Sequence, residues 1–205
     1  MLYNPKAGFD LARSLQRGEK VALGEVFSFL SGLYFRGKYK YSTYFTRPPS
    51  AITGVHVITS NRGLLPVEQR ISIEELRAFA TTPIDHREAD YIDPLNRSAR
   101  GLSRKAGRGC EVVLLGSIGT SKYADVLVEH FGDRLVFPTS FVGRGDMSRG
   151  GLLLRCVAEN RELEYAPISG AIRHGKRPEK LPPKTWGYKI VEGKTEIGDG
   201  TRVQE

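Results

Sequence analysis

Long apolar runs are missing from these 205 residues. The longest, such as residues 112–115 and 152–154, fall far short of the roughly 20 residues of a membrane span, and the N-terminus has no apolar signal core. A membrane or secreted protein is therefore not expected, and a cytoplasmic one is. Cysteine is nearly absent: Cys110 and Cys156 are the only two, both beside hydrophobic runs. A disulfide scaffold and a four-cysteine zinc site are thereby excluded, and both thiols read as buried and reduced. Histidine is scarce too, with four residues. His56, His86, His130 and His174 include no pair at the spacing of a helix-borne metal motif, so no metal is expected. There is no Walker A loop, no nucleophile elbow and no dinucleotide fingerprint after a strand, so no cofactor is expected either. No repeat of 20–50 residues or low-complexity tract is visible, which removes solenoids and propellers.

Positive charge is what the sequence has in excess. Thirty-one Lys and Arg against 23 Asp and Glu leave a formal +8, a field that attracts nucleic acid or phosphorylated small molecules.

Periodicity then suggests an organisation. Apolar residues at Phe27, Leu30, Leu33, Tyr34, Tyr41 and Phe45 predict helix over 22–45, with Gly32 and Gly37 as candidate break points and Pro48-Pro49 as the stop. Residues 54–59 read as a strand. Ser72-Ile73-Glu74-Glu75 has the spacing of a capping box opening a helix through Ala80. Asp93-Pro94 reads as a cap with proline at the first helical position, and Leu95, Ala99, Leu102 and Ala106 form one face of the helix that follows. Residues 111–115 form a β-branched and leucine strand, 116–121 a small polar turn, 122–131 an amphipathic helix closed by Gly132, and 134–138 a second buried strand. The runs 152–157 and 162–167, four residues apart, read as a hairpin. The fold class expected is α/β, with a three-layer, mostly parallel central sheet, helices on both faces and this C-terminal antiparallel hairpin. Residues 1–172 would form one domain, and 173–205 a basic, Pro/Gly-rich tail that wraps the surface or stays partly disordered.

Five segments could carry chemistry. Ser117, Gly119, Thr120 and Lys122 lie where a strand turns into a helix, and free backbone N–H groups there favour an anion. Ser60, Asn61 and Arg62 would occupy the equivalent place after the preceding strand, completing a cleft at one sheet edge. Around Arg36, Lys38, Lys40 and Tyr41, aromatics alternate with cations, a combination that stacks bases and neutralises phosphates. Arg144, Asp146 and Arg149 sit among Gly143, Gly145, Gly150 and Gly151 in what reads as a glycine-rich loop, its arginines offering planar forks for phosphate and Asp146 the candidate catalytic carboxylate. Arg173 and His174 belong to a basic loop further on. The first four have plainer readings: a capped βα turn, an ordinary turn with Arg62 solvated, a core face on a helix, and Asp146 bracing an arginine.

The order of Leu33-Tyr34-Phe35-Arg36, Val57-Ile58-Thr59-Ser60 leading into Arg62-Gly63-Leu64-Leu65, the Pro94-Leu95 helix, and Val113-Leu114-Leu115-Gly116 leading into Lys122-Tyr123 resembles a bacterial α/β group. That group is the YaaA-type peroxide-stress proteins and uracil-DNA-glycosylase-like domains. The resemblance spans about residues 30–140. It implies an α/β fold with a cationic cleft and an association with nucleic acid or nucleotides. Such relatives commonly carry a histidine where this chain has Arg62, and the glycosylase's Gly-x-Asp-Pro-Tyr and His-Pro-Ser motifs are absent, so it does not imply glycosylase activity. The expected partner is a nucleic acid or a phosphorylated small molecule. Two classes of function follow: an enzyme acting on a nucleoside or nucleotide glycosidic bond, and a non-catalytic DNA- or RNA-binding module.

Overall fold

The computed structural model describes residues 2–4, 6–119, 122–179, 181–182, 187–191 and 194–198. From the N-terminus, α1 (Asp10–Gln16) and the two-residue β1 (Val21–Ala22) lead into α2 (Leu23–Leu30) and α3 (Gly32–Phe45). The helix expected over 22–45 breaks at Gly32, whose φ of 62° turns the chain between α2 and α3. Gly37 stays helical within α3. Next come β2 (His56–Thr59), β3 (Gly63–Pro66) and β4 (Arg70–Ile71), which pairs antiparallel with β1. The helix α4 (Ile73–Thr81) opens on the expected capping box: the Glu75 N–H donates to Ser72 Oγ at 3.3 Å, and the Ser72 N–H donates to Glu75 Oε2 at 2.9 Å.

α5 (Ala89–Ala106) starts four residues ahead of the expected Asp93 cap, with Pro94 inside it. Its buried Tyr91 extends the face that Leu95, Ala99 and Ala106 form as expected. β5 (Val112–Val113), α6 (Ala124–Phe131) and β6 (Leu135–Pro138) make the one parallel crossover among the described residues, with Val112 opposite Leu135 and Val113 opposite Val136. Gly132 closes α6 at a φ of 58°. After a 3₁₀ turn (Thr139–Phe141) come α7 (Asp146–Ala158) and β7 (Tyr165–Pro167), the latter antiparallel to β6. A hairpin of β8 (Gly187–Val191) and β9 (Lys194–Gly198) lies in the segment expected to be a tail.

The three-layer, mostly parallel sheet does not form. Helices surround small sheets of two or three strands instead. Two local events explain this. Residues 60–62 close a tight loop, and Gly63 at a φ of 65° sends the chain straight back as β3, so β2 gains an antiparallel neighbour in place of a crossover. The run 152–157, expected as a strand, lies within α7, where Leu152, Leu153 and Cys156 are buried at helical spacing. A short apolar run suits a buried helix as well as a strand, and here the helix wins. The hairpin expected from 152–157 and 162–167 is therefore absent, and the second run supplies only β7.

Three apolar clusters hold these pieces. One joins α1, α2, α4 and β4 through Leu15, Leu23, Val26, Ile71 and Leu76. A second packs α5 and α6 on β6 through Leu95, Leu127 and Leu135. The third lies between α3 and α7, around Tyr41, Phe141, Leu153 and Cys156. No helix among the described residues is long and apolar enough to cross a membrane.

Candidate functional site

The α3–α7 contact positions the site. A β-carbon on Gly37 would stand 2.7 Å from the Gly150 carbonyl oxygen, and one on Gly150 would stand 2.9 Å from that of Leu33. Those glycines bring two helix backbones together. The presumed glycine-rich ligand loop is thus largely the first turns of α7, with Asp146 as its first residue. Arg149, one turn on, points inward: its side chain is 13% exposed, its guanidinium donates to the Phe141 carbonyl at 3.1 Å, and it lies 3.5 Å from Asp146 Oδ1. Arg144 turns away, donating to the Ser140 carbonyl and Ser148 Oγ.

From α3, Tyr34, Lys38 and Tyr41 share the inward face, while Arg36 and Lys40 are exposed on the other side. Lys38 Nζ sits 3.9 Å above the Tyr34 ring centroid and has no ion pair among the described residues. Burial draws the Lys38 ammonium down to about 8, with Arg149 adding to the effect and Asp146 opposing it. Burial also pushes the Tyr34 phenol up to about 12, its hydroxyl donating to the Leu115 carbonyl at 3.1 Å. Tyr41 is core: it is 2% exposed, its hydroxyl lies 2.5 Å from that of Tyr165, and it accepts the Leu163 N–H at 2.8 Å.

The loop after β5 supplies the third side. Gly116 leaves room for Tyr123, whose hydroxyl would be 2.8 Å from a β-carbon there. Burial raises the Tyr123 phenol, against the pull of the Ser117 N–H and Arg149. The Gly119 N–H turns back to Ser117 Oγ at 3.4 Å, and the His174 imidazole lies over Gly119, within 3.2 Å of where a β-carbon would be. Arg173 anchors that segment on Asp125 at 2.7 Å. Lys122 is exposed, and Thr120 lies outside the described residues. Behind Tyr123, the hydroxyl of the fully buried Tyr91 has no hydrogen-bond partner among the described residues.

Lys38, Gly116 and Tyr123 also line a cavity of about 1020 Å³ whose other walls include Tyr39, Phe45, Val57, Leu127 and Tyr165. It runs between the open edges of β2 and β5, is largely apolar, and is large enough for a nucleoside.

The structure therefore gathers Lys38, Ser117, Gly119, Asp146, Arg149 and His174 from four sequence segments. It leaves the Ser60 loop elsewhere. Ser60 donates to the Phe79 carbonyl, Asn61 to Thr82, and Arg62 pairs with Glu75, all against α4. Tyr123 was missed as a site residue, since nothing in its spacing separates it from a helix start. The sequence reading also missed a row of exposed cations on α5, Arg97, Arg100 and Arg104, whose spacing of three and four was visible. No family model, curated protein or solved structure matches this chain. The likeness to YaaA-type and uracil-DNA-glycosylase-like domains thus rests on its short motifs.

Proposed function

We propose that this protein binds a phosphorylated nucleoside, or the sugar phosphate within it, and acts at the anomeric carbon. The observation that carries this is the convergence of two sheltered cations, Lys38 and Arg149, with the carboxylate of Asp146, where Lys38 also lines an apolar cavity. Arg149 and the uncapped first N–H groups of α7 suit a phosphate, the cavity suits a base, and Asp146 suits a positive charge developing on the sugar ring. Calorimetric titration with adenosine 5′-monophosphate and with ribose 5-phosphate tests this. Arg149→Lys, which keeps the charge and loses the fork, should weaken both by about tenfold, the scale of one charge-assisted hydrogen bond. Equal affinity in the variant, or none in the wild type, would overturn the reading.

A second reading, the nucleic-acid module, is favoured by α5. Arg97, Arg100 and Arg104 lie within one narrow arc of its surface, exposed and without an ion pair among the described residues. The helix dipole accounts for basic residues in the last turn, but its reach does not extend back to Arg97. Binding of duplex DNA that ignores Arg97→Ala, Arg100→Ala and Arg104→Ala together would remove this reading.

A further inference from the structure

We infer that Lys38 is a nucleophilic amine that forms an imine with the aldehyde carbon of an open-chain sugar phosphate. This rests on the function proposed above and adds the covalent step to it. Lys38 projects from the middle of α3, not from a helix end, onto the face of Tyr34 and into the wall of the cavity beside Gly116 and Tyr123. A surface lysine is hydrated by water and paired by chance with carboxylates. Lys38 has neither an ion pair nor a hydrogen bond among the described residues, and its side chain is partly buried. Asp146 and Arg149 are the charged groups close enough to act on it, the first stabilising a cation there and the second repelling one. A lysine in an apolar wall beside another cation is the arrangement that activates an amine.

The consequence for reactivity follows from its titration. An amine drawn down to about 8 is roughly one part in ten unprotonated at neutral pH, against fewer than about one in a thousand for an ordinary lysine. The step balances without a further reactant. The Lys38 nitrogen attacks the aldehyde carbon and the C–N bond forms. The neutral amine brings two protons: the carbonyl oxygen leaves as water with one of them and one proton from solvent, and the other stays on the imine nitrogen. The resulting iminium is a cation, and Asp146 is the carboxylate positioned to stabilise it.

Borohydride trapping tests the inference on the intact chain with two probes, ribose 5-phosphate and glycolaldehyde, the second without phosphate. Reduction adds hydride to the imine carbon and leaves a secondary amine. Peptide mapping should then find one sugar phosphate less one oxygen atom on Lys38. Labelling at Lys38 should exceed that at any of the exposed Lys20, Lys40 and Lys122 by tenfold or more. Lys38→Arg keeps a cation on Tyr34 but has no primary amine and should abolish the adduct. Adducts spread evenly over surface lysines, or an undiminished yield in Lys38→Arg, would overturn the inference. Binding of ribose 5-phosphate without trapping at Lys38 defeats the covalent step alone. Selective glycolaldehyde labelling without ribose 5-phosphate binding keeps the reactive amine and defeats the phosphate reading.

Discussion

Burial of Lys38 has a consequence for stability as well as for chemistry. Its ammonium is held below the ordinary lysine value, so the folded protein binds fewer protons than the unfolded chain between about pH 8 and pH 10.5, and stability from this site rises with pH across that window. Below about pH 8 the cost of the buried charge is present in full. Lys38→Met should therefore be more stable than wild type at pH 7, with the advantage shrinking as pH rises toward about 9.5, read from urea midpoints at each pH. A pH-independent difference would show that the ammonium is solvated. Gly150 sets a different constraint at the same contact. Its substitution by Ala places a methyl 2.9 Å from the Leu33 carbonyl and the Tyr34 Cα, backbone that cannot swing aside as a side chain would. A loss of about 1–3 kcal/mol in urea unfolding is expected, the usual cost of overpacking. The glycines of 143–151 drew attention in the sequence as ligand-approach residues. Composition does not distinguish a glycine that admits a ligand from one that admits a helix.

Among the elements, α4 was the most legible, because its start is written in four consecutive residues. Ser72→Ala removes the acceptor for the Glu75 N–H and should cost about 1 kcal/mol in chemical unfolding, with the site around Lys38 undisturbed. α5 and α7 were harder. Proline at position 94 suggested a start that the chain places at Ala89, and the leucines of α7 read as a strand because apolar density in a short run carries no period. α5 offers the clearest electrostatic test. If Arg97, Arg100 and Arg104 each touch a phosphate, every Arg→Ala should reduce the slope of log affinity for duplex DNA against log salt by about one. Arg36→Ala, on the outer face of α3, provides a comparison within the same molecule.

At the scale of the molecule, β6 is the one strand among the described residues flanked on both sides, and all four of its residues are buried. Its amides should exchange with solvent more slowly than those of β2 and β3, whose two-stranded ladder has an open edge on the cavity; faster exchange in β6 would mean that the second cluster is not the stable centre. Local chemistry in the sequence by itself determined the capping box of α4, the buried face of α5, the closure of α6 at Gly132, the parallel β5–α6–β6 crossover and the excess of positive charge. All but the crossover depend on residues within a few positions or on composition, and the crossover follows from the strand–helix–strand order, whose second strand returns beside the first. Only the tertiary structure decided that β2 would turn back on itself, that 152–157 would be helical, and that Lys38 would meet Asp146 and Arg149. These outcomes depend on which surfaces come together, and a backbone contact such as Gly37 on Gly150, formed between residues more than a hundred positions apart, leaves no local trace in the chain.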